Sequence, residues 1–162
     1  MSEHVPTDIE QWQAVNWAEG LPLKSGPLMW GLVDASPSSA FYWTKLKEEG
    51  RIYLKHCKEC GAHQHPRRVV CEKCYAFDFD WRPAQGGGVV YTKSTIEYAN
   101  DQDLKAVVPY SLGIVVLDEE VPLFTRIVRR GETSGRDVAI GERGTVSAAP
   151  FLGLTLPIFT VG

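Results

Sequence analysis

Cys57-Lys58-Glu59-Cys60 and Cys71-Glu72-Lys73-Cys74 hold all four cysteines of the chain, with ten residues between the two pairs. Four thiols in two CxxC pairs have the ligand count and spacing of a tetrahedral four-thiolate zinc site, each short turn wrapping half of the coordination sphere. Such a site is closed. With no open position for water or substrate, its metal braces the fold and does no chemistry. Disulfide pairing is the competing reading. Met1 to Glu10 is acidic and polar, with no basic stretch leading into an apolar run. That predicts no secretory leader and a reducing, cytoplasmic setting, which favours metal. His56, His63 and His65 lie close to the pairs and raise the option of a mixed Cys/His site. Four cysteines already complete the tetrahedron.

Around this module, 162 residues with 44% hydrophobic content suffice for one modest core and a small satellite. The longest apolar runs, such as Leu112 to Leu117, are strand length and predict no membrane span. Net charge is -3, which argues against a dedicated nucleic-acid binder. The distribution is uneven: Lys45 to Arg82 carries nine Lys/Arg against six Asp/Glu. A mildly basic ribbon on an acidic body suits one or two phosphates, or simply keeps a small module solvated.

Toward the N-terminus, residues 1–50 read as a helical arm. Thr7 and Glu10 have capping-box spacing, Ile9, Trp12 and Val15 recur at helical intervals, and Gly20 supplies a stop. Pro22, Gly26, Pro27, Gly31 and Pro37 then break the chain into a connector. A second helix is expected after Ser38 or Ser39, through Phe41, Trp43 and Leu46, ending at Gly50. Trp12, Trp17, Trp30 and Trp43, four of the five tryptophans, fall in this arm. Trp is enriched at interface hot spots, so these four are candidates for a partner interface. The alternative is that they pack on their own domain.

Residues 51–82 read as the ribbon, with a strand expected at Ile52, Tyr53 and Leu54 and with Phe77, Phe79 and Trp81 expected to alternate into the body. Residues 83–162 read as all β. Gly86-Gly87-Gly88 turns into a strand at Val89, Val90 and Tyr91, and it lacks the Lys-Ser/Thr of a P-loop. Further strands are expected at Ser94 to Tyr98, Tyr110 to Leu117, Leu123 to Val128, Gly144 to Ala148 and Leu156 to Val161. So many short strands in so little chain suit a small closed barrel, since closure removes exposed edges.

The motifs, in order, are the aromatic helix Phe41 to Gly50, the knuckle Cys57 to Gly61, and His65-Pro66-Arg67-Arg68 before the second CxxC. Gly86 to Tyr91, Tyr110 to Glu119 and Leu156-Pro157-Ile158-Phe159 follow. Together they resemble the zinc-ribbon plus OB-fold family associated with acyl-CoA metabolism, over roughly Phe41 to the C-terminus. The family's pattern differs at three positions: His65 replaces an aromatic, Arg67 replaces a proline, and Tyr75 stands where glycine is common. The resemblance implies a mainly β fold with N-terminal helices, in which a rubredoxin-like zinc ribbon precedes a small OB-fold barrel. It also implies structural Zn2+ and an auxiliary subunit beside a thiolase-like partner, with two copies of each chain and a shared coenzyme A ester. Benzoylsuccinyl-CoA thiolase and sterol-CoA aldolases are examples of such assemblies.

On that reading the metal ligands are Cys57, Cys60, Cys71 and Cys74. Arg67 and Arg68 are candidates for CoA phosphates, because guanidinium pairs bidentately with phosphate; a solvated or partner-facing loop is the alternative. No residue is expected to be catalytic, since a nucleophilic cysteine must lie outside a metal site. Single-stranded nucleic-acid binding through Tyr91, Tyr98 and Tyr110 is the other class. It would need a positive groove, whereas from Pro83 onward seven Lys/Arg face nine Asp/Glu.

Overall fold

The computed structural model describes residues 38–151 and 154–162. The expected first helix, the connector, and Trp12, Trp17 and Trp30 lie outside the described residues. Helix α1, Ala40–Glu49, follows Ser39 and stops at Gly50, whose φ of 67° is the left-handed conformation that glycine adopts without strain. The Gly50 N–H donates to Leu46 O, closing the last turn. One face of α1 is buried through Tyr42 and Leu46, one turn apart. Lys45 reaches Glu49 across the exposed side at 2.9 Å.

The ribbon is a three-stranded antiparallel sheet in the order β2-β1-β3, from β1 Tyr53–Cys57, β2 His63–Gln64 and β3 Phe79–Pro83. Ile52 precedes the strand it was expected to begin and lies in the core. Phe77 does not share the inward alternation of Phe79 and Trp81. It precedes β3 and is 75% exposed, next to Ala76, whose carbonyl closes the second CxxC turn by accepting the Cys71 N–H.

The barrel comprises β4 Gly87–Ile96, β5 Tyr110–Leu117, β6 Pro122–Arg129, β7 Arg143–Phe151 and β8 Leu154–Val161; the short helix α2, Gln102–Lys105, sits between β4 and β5. The strands close in the order β4-β5-β6-β8-β7, with β7 returning to β4 through Gly87↔Thr145 and Val89↔Arg143. Strands β6 and β8 run parallel. A five-stranded barrel with this Greek-key order is an OB fold. The segments 89–91 and 94–98, expected as separate strands, fall in one strand that ends at Ile96. A bulge at Tyr91 resets the register, so that Val90 opposes Val115 while Thr92 opposes Ile114.

Val90, Val115, Leu117, Leu123, Ile127, Phe159 and Val161 fill the barrel. Tyr42 and Leu46 of α1, with Ile52 and Leu54, belong to the same cluster. Helix, ribbon base and barrel therefore share one apolar core, which fixes the ribbon against the barrel. A polar tie reinforces this, as Lys73 of the ribbon approaches Glu120 of the barrel at 3.5 Å.

Candidate metal centre and the adjoining cleft

The two CxxC turns have the same backbone design. In the first, the Gly61 N–H donates to Cys57 O and the Cys57 N–H to Ala62 O; in the second, the Tyr75 N–H donates to Cys71 O and the Cys71 N–H to Ala76 O. Both turns require a left-handed residue after the second cysteine, supplied by Gly61 at φ 73° and Tyr75 at φ 61°. The departure at Tyr75 is thus one of side chain and leaves the backbone path intact.

These turns bring the four sulfurs within 4.8 Å of one another. Cys57 Sγ lies 3.5 Å from Cys74 Sγ, and Cys60 Sγ lies 3.6 Å from Cys71 Sγ. A tetrahedron with zinc–sulfur arms of about 2.3 Å has edges of about 3.8 Å, so the donor set fits zinc. A disulfide needs about 2.05 Å, and all four cysteines are free. Cys57 and Cys71 are buried, while Cys60 and Cys74 face solvent.

Burial opposes ionisation of Cys71, yet the N–H groups of Cys74 and Lys73 and the nearby thiols hold it down at about 6. The Ala76 N–H favours the Cys74 thiolate, but burial and the three other thiols push Cys74 up to about 12. The first thiolate forms readily and the last resists, a repulsion that a divalent cation removes. No histidine joins this cluster among the described residues. His56 Nδ1 pairs with Asp80 at 3.0 Å, and His65 Nδ1 accepts from the Arg67 N–H at 3.2 Å.

Arg67 and Arg68 sit on a tight turn between the knuckles. Pro66 is fully buried at its second position, and the Arg68 N–H donates to His65 O at 3.0 Å. Proline presets the φ that this position needs. Both arginines are exposed, and they border a cleft of about 460 Å³. Its ribbon wall is His63, Gln64, His65, Arg67, Arg68 and Glu72; its barrel wall is Glu120, Val121 and Pro122. Arg68 forms an ion pair with Glu72. His65 is pushed down to about 4, by burial first and then by the charges of Arg67, Arg68 and Lys55.

Sequence reasoning passed over Lys55. It lies on β1 and is 6% exposed, and its ammonium donates to Arg68 O at 2.6 Å. The rings of Trp81 and Phe79 lie 5.3 and 5.8 Å from the charge. Burial lowers Lys55 to about 8. The available signal was an inward strand position, between Leu54 and Cys57, occupied by a charge.

Trp43 is half-buried against the core and meets Tyr42 edge-on at 4.8 Å. Of the tyrosines considered for base stacking, Tyr91 and Tyr98 are exposed and Tyr110 is buried. Tyr75, at 76% exposed, joins Phe77 as a second exposed aromatic of the ribbon. Among the described residues no helix is long and apolar enough to cross a membrane.

Two family profiles match in tandem: "ChsH2, rubredoxin-like zinc ribbon domain" over residues 44–80 and "ChsH2, C-terminal OB-fold domain" over residues 81–147. A "DUF35 domain-containing scaffold protein" of Methanocaldococcus jannaschii is 32% identical over 100 residues, covering 61% of this chain and 68% of that protein. A "probable enoyl-CoA hydratase alpha subunit" of Thermomonospora curvata is 28% identical over 87 residues, 54% of this chain but 27% of that longer protein. Among solved structures, the "Ltp2-ChsH2(DUF35) aldolase" superposes with a TM-score of 0.65 at 26% identity, covering 78% of this chain and 95% of the matched one. A DUF35-family protein of unknown function from Sulfolobus solfataricus superposes at 0.53 with 16% identity, covering 96% and 99%. That second likeness is one of fold.

Proposed function

This chain belongs to the DUF35 family of ChsH2-type zinc-ribbon and OB-fold proteins, and we propose that it is the non-catalytic zinc-binding subunit of a thiolase-type complex acting on acyl-CoA esters. Cys57, Cys60, Cys71 and Cys74 would hold a structural Zn2+ that fixes the ribbon, and a partner chain would carry the carbon–carbon bond chemistry. An aldolase is an equally consistent partner, since the solved relative at 26% identity is an Ltp2-ChsH2 aldolase. The observation behind the reading is that every thiol of the chain is gathered into one mutual cluster. The nucleophilic cysteine of such a reaction must then come from elsewhere.

Two surface features support a shared role. Tyr75 and Phe77 offer exposed aromatic area beside the metal cluster, at positions where burial among the described residues gives no reason for aromatic rings. The cleft lined by Arg67 and Arg68 is a suitable place for the phosphates of the CoA ester, guanidinium being the side chain best matched to them. Thiolase-type partners that are dimers would give two copies of each chain.

Co-purification from the native source, with identification of the bound protein, tests this reading directly. The expected result is a stable complex that processes an acyl-CoA ester while this chain alone does not. Turnover of a thioester by the isolated chain would rule the reading out. Within the complex, Arg68→Ala is expected to weaken use of the CoA ester while zinc stays bound.

A further inference from the structure

A strand interior is an expensive place for an ammonium group, because burial removes its water and its three donors then need acceptors. Lys55 occupies such a place on β1, where an apolar side chain would pack without that cost. Its acceptor is informative. The Nζ spans 13 residues of sequence to reach the Arg68 carbonyl, the last peptide of the His65–Arg68 turn. The Trp81 and Phe79 rings meet the charge and hold the side chain in that direction.

Two other features also place the turn: Pro66 is fully buried, and Gln64, just before it, pairs with Lys55 across β1 and β2. His65 accepts the Arg67 N–H through its ring and the Arg68 N–H through its carbonyl. Those bonds set the shape of the turn, and the β1–β2 pairing holds its leading end. Lys55 joins its far end to β1, the strand that ends at Cys57.

The geometry points to Lys55 as the positioning residue of the His65–Arg68 turn, fixing the direction in which the Arg67 and Arg68 guanidinium groups are presented to the cleft. This role rests on reading those groups as contacts for CoA phosphates. Its physical benefit is pre-organisation: two long side chains on a fixed backbone lose less freedom on meeting a phosphate than two on a wandering loop.

The test uses the full-length, zinc-loaded chain and its Lys55→Met variant, which keeps the length of the side chain and removes the charge. Cleavage by trypsin after Arg67 and Arg68 reports on the turn, because a protease needs a locally released backbone. Affinity for 3′,5′-ADP, the phosphate-bearing end of CoA, reports on presentation. Zinc content reports on the metal cluster. Lys55→Met is expected to keep its zinc, to be cut at the two arginines about tenfold faster, and to bind 3′,5′-ADP about tenfold more weakly. In the unaltered protein, the Arg67 and Arg68 amides are expected to have order parameters near the ~0.85 of rigid backbone.

Faster cutting without any change in 3′,5′-ADP binding would uphold the positioning role and remove the phosphate reading. Unchanged cutting with zinc retained, or order parameters below ~0.6 in the unaltered protein, would overturn the positioning role. Loss of zinc or of the fold in Lys55→Met would overturn it too, since Lys55 would then brace the whole ribbon.

Discussion

Tyr75 carries a left-handed backbone that a side chain tolerates poorly, while its ring is largely in solvent. Relief of that conformation is worth about 1 kcal/mol after glycine's own entropy cost. Tyr75→Gly is therefore expected to raise stability by about that amount in a urea titration, keeping the Tyr75 N–H to Cys71 O bond as a backbone feature. If the ring is an anchor for the partner, the same variant should bind that partner less well. A second prediction concerns His65, which is held neutral at about 4 in the fold against about 6.5 in an unfolded chain. As pH falls through 6.5 the unfolded chain takes up a proton that the folded one refuses until about 4. The stability associated with neutral His65 is thus complete above 6.5 and erodes between 6.5 and 4, by about 2 kcal/mol at pH 5. Comparing the pH dependence of unfolding with that of His65→Gln isolates this part; equal slopes for the two would contradict it.

At the scale of elements, the barrel depends on close approach between β4 and β5. A Cβ on Gly113 would lie 2.0 Å from Thr92 O and 2.8 Å from Ile127 Cδ1. Gly113 pairs with Lys93, close to the Tyr91 bulge, and the approach of the β4 backbone there leaves room only for glycine. Gly113→Ala is expected to cost roughly 2–3 kcal/mol, measured by denaturant midpoint, with zinc still bound. The ribbon shows the same interplay of pattern and approach. Its strands are too short to hold as an independent sheet, and the metal cluster and the shared core supply what the strands lack.

For the whole molecule, one core spanning α1, the ribbon base and the barrel predicts one unfolding event. Zinc binding in small modules is worth on the order of 10–16 kcal/mol, so its loss should be felt beyond the ribbon. Chelation, or Cys57→Ser, is expected to release the metal and lower the melting temperature of the barrel as well, in a single transition. A barrel that melts at an unchanged temperature after zinc removal would show the core to be energetically divided. In the complex, the same variant should lose the partner, because the knuckles that display Tyr75 and Phe77 no longer have a fixed shape.

Cysteine count and spacing alone specified a four-thiolate ribbon, because zinc's ligand number and the reach of a CxxC turn leave little freedom. Short apolar runs marked β5 to its end residues, and β6, β7 and β8 closely, since a strand buried on the barrel core reads as a brief apolar stretch. Gly50 marked the end of α1 for an equally local reason. Beyond that range local pattern had no access. The bulge that makes β4 one strand, the exposure of Phe77 and the approach at Gly113 depend on which strands become neighbours. The cleft and the bond from Lys55 to Arg68 depend on it too, joining residues that nothing local connects. Residue chemistry named the metal and the strands; only folding in three dimensions decided which charges face one another.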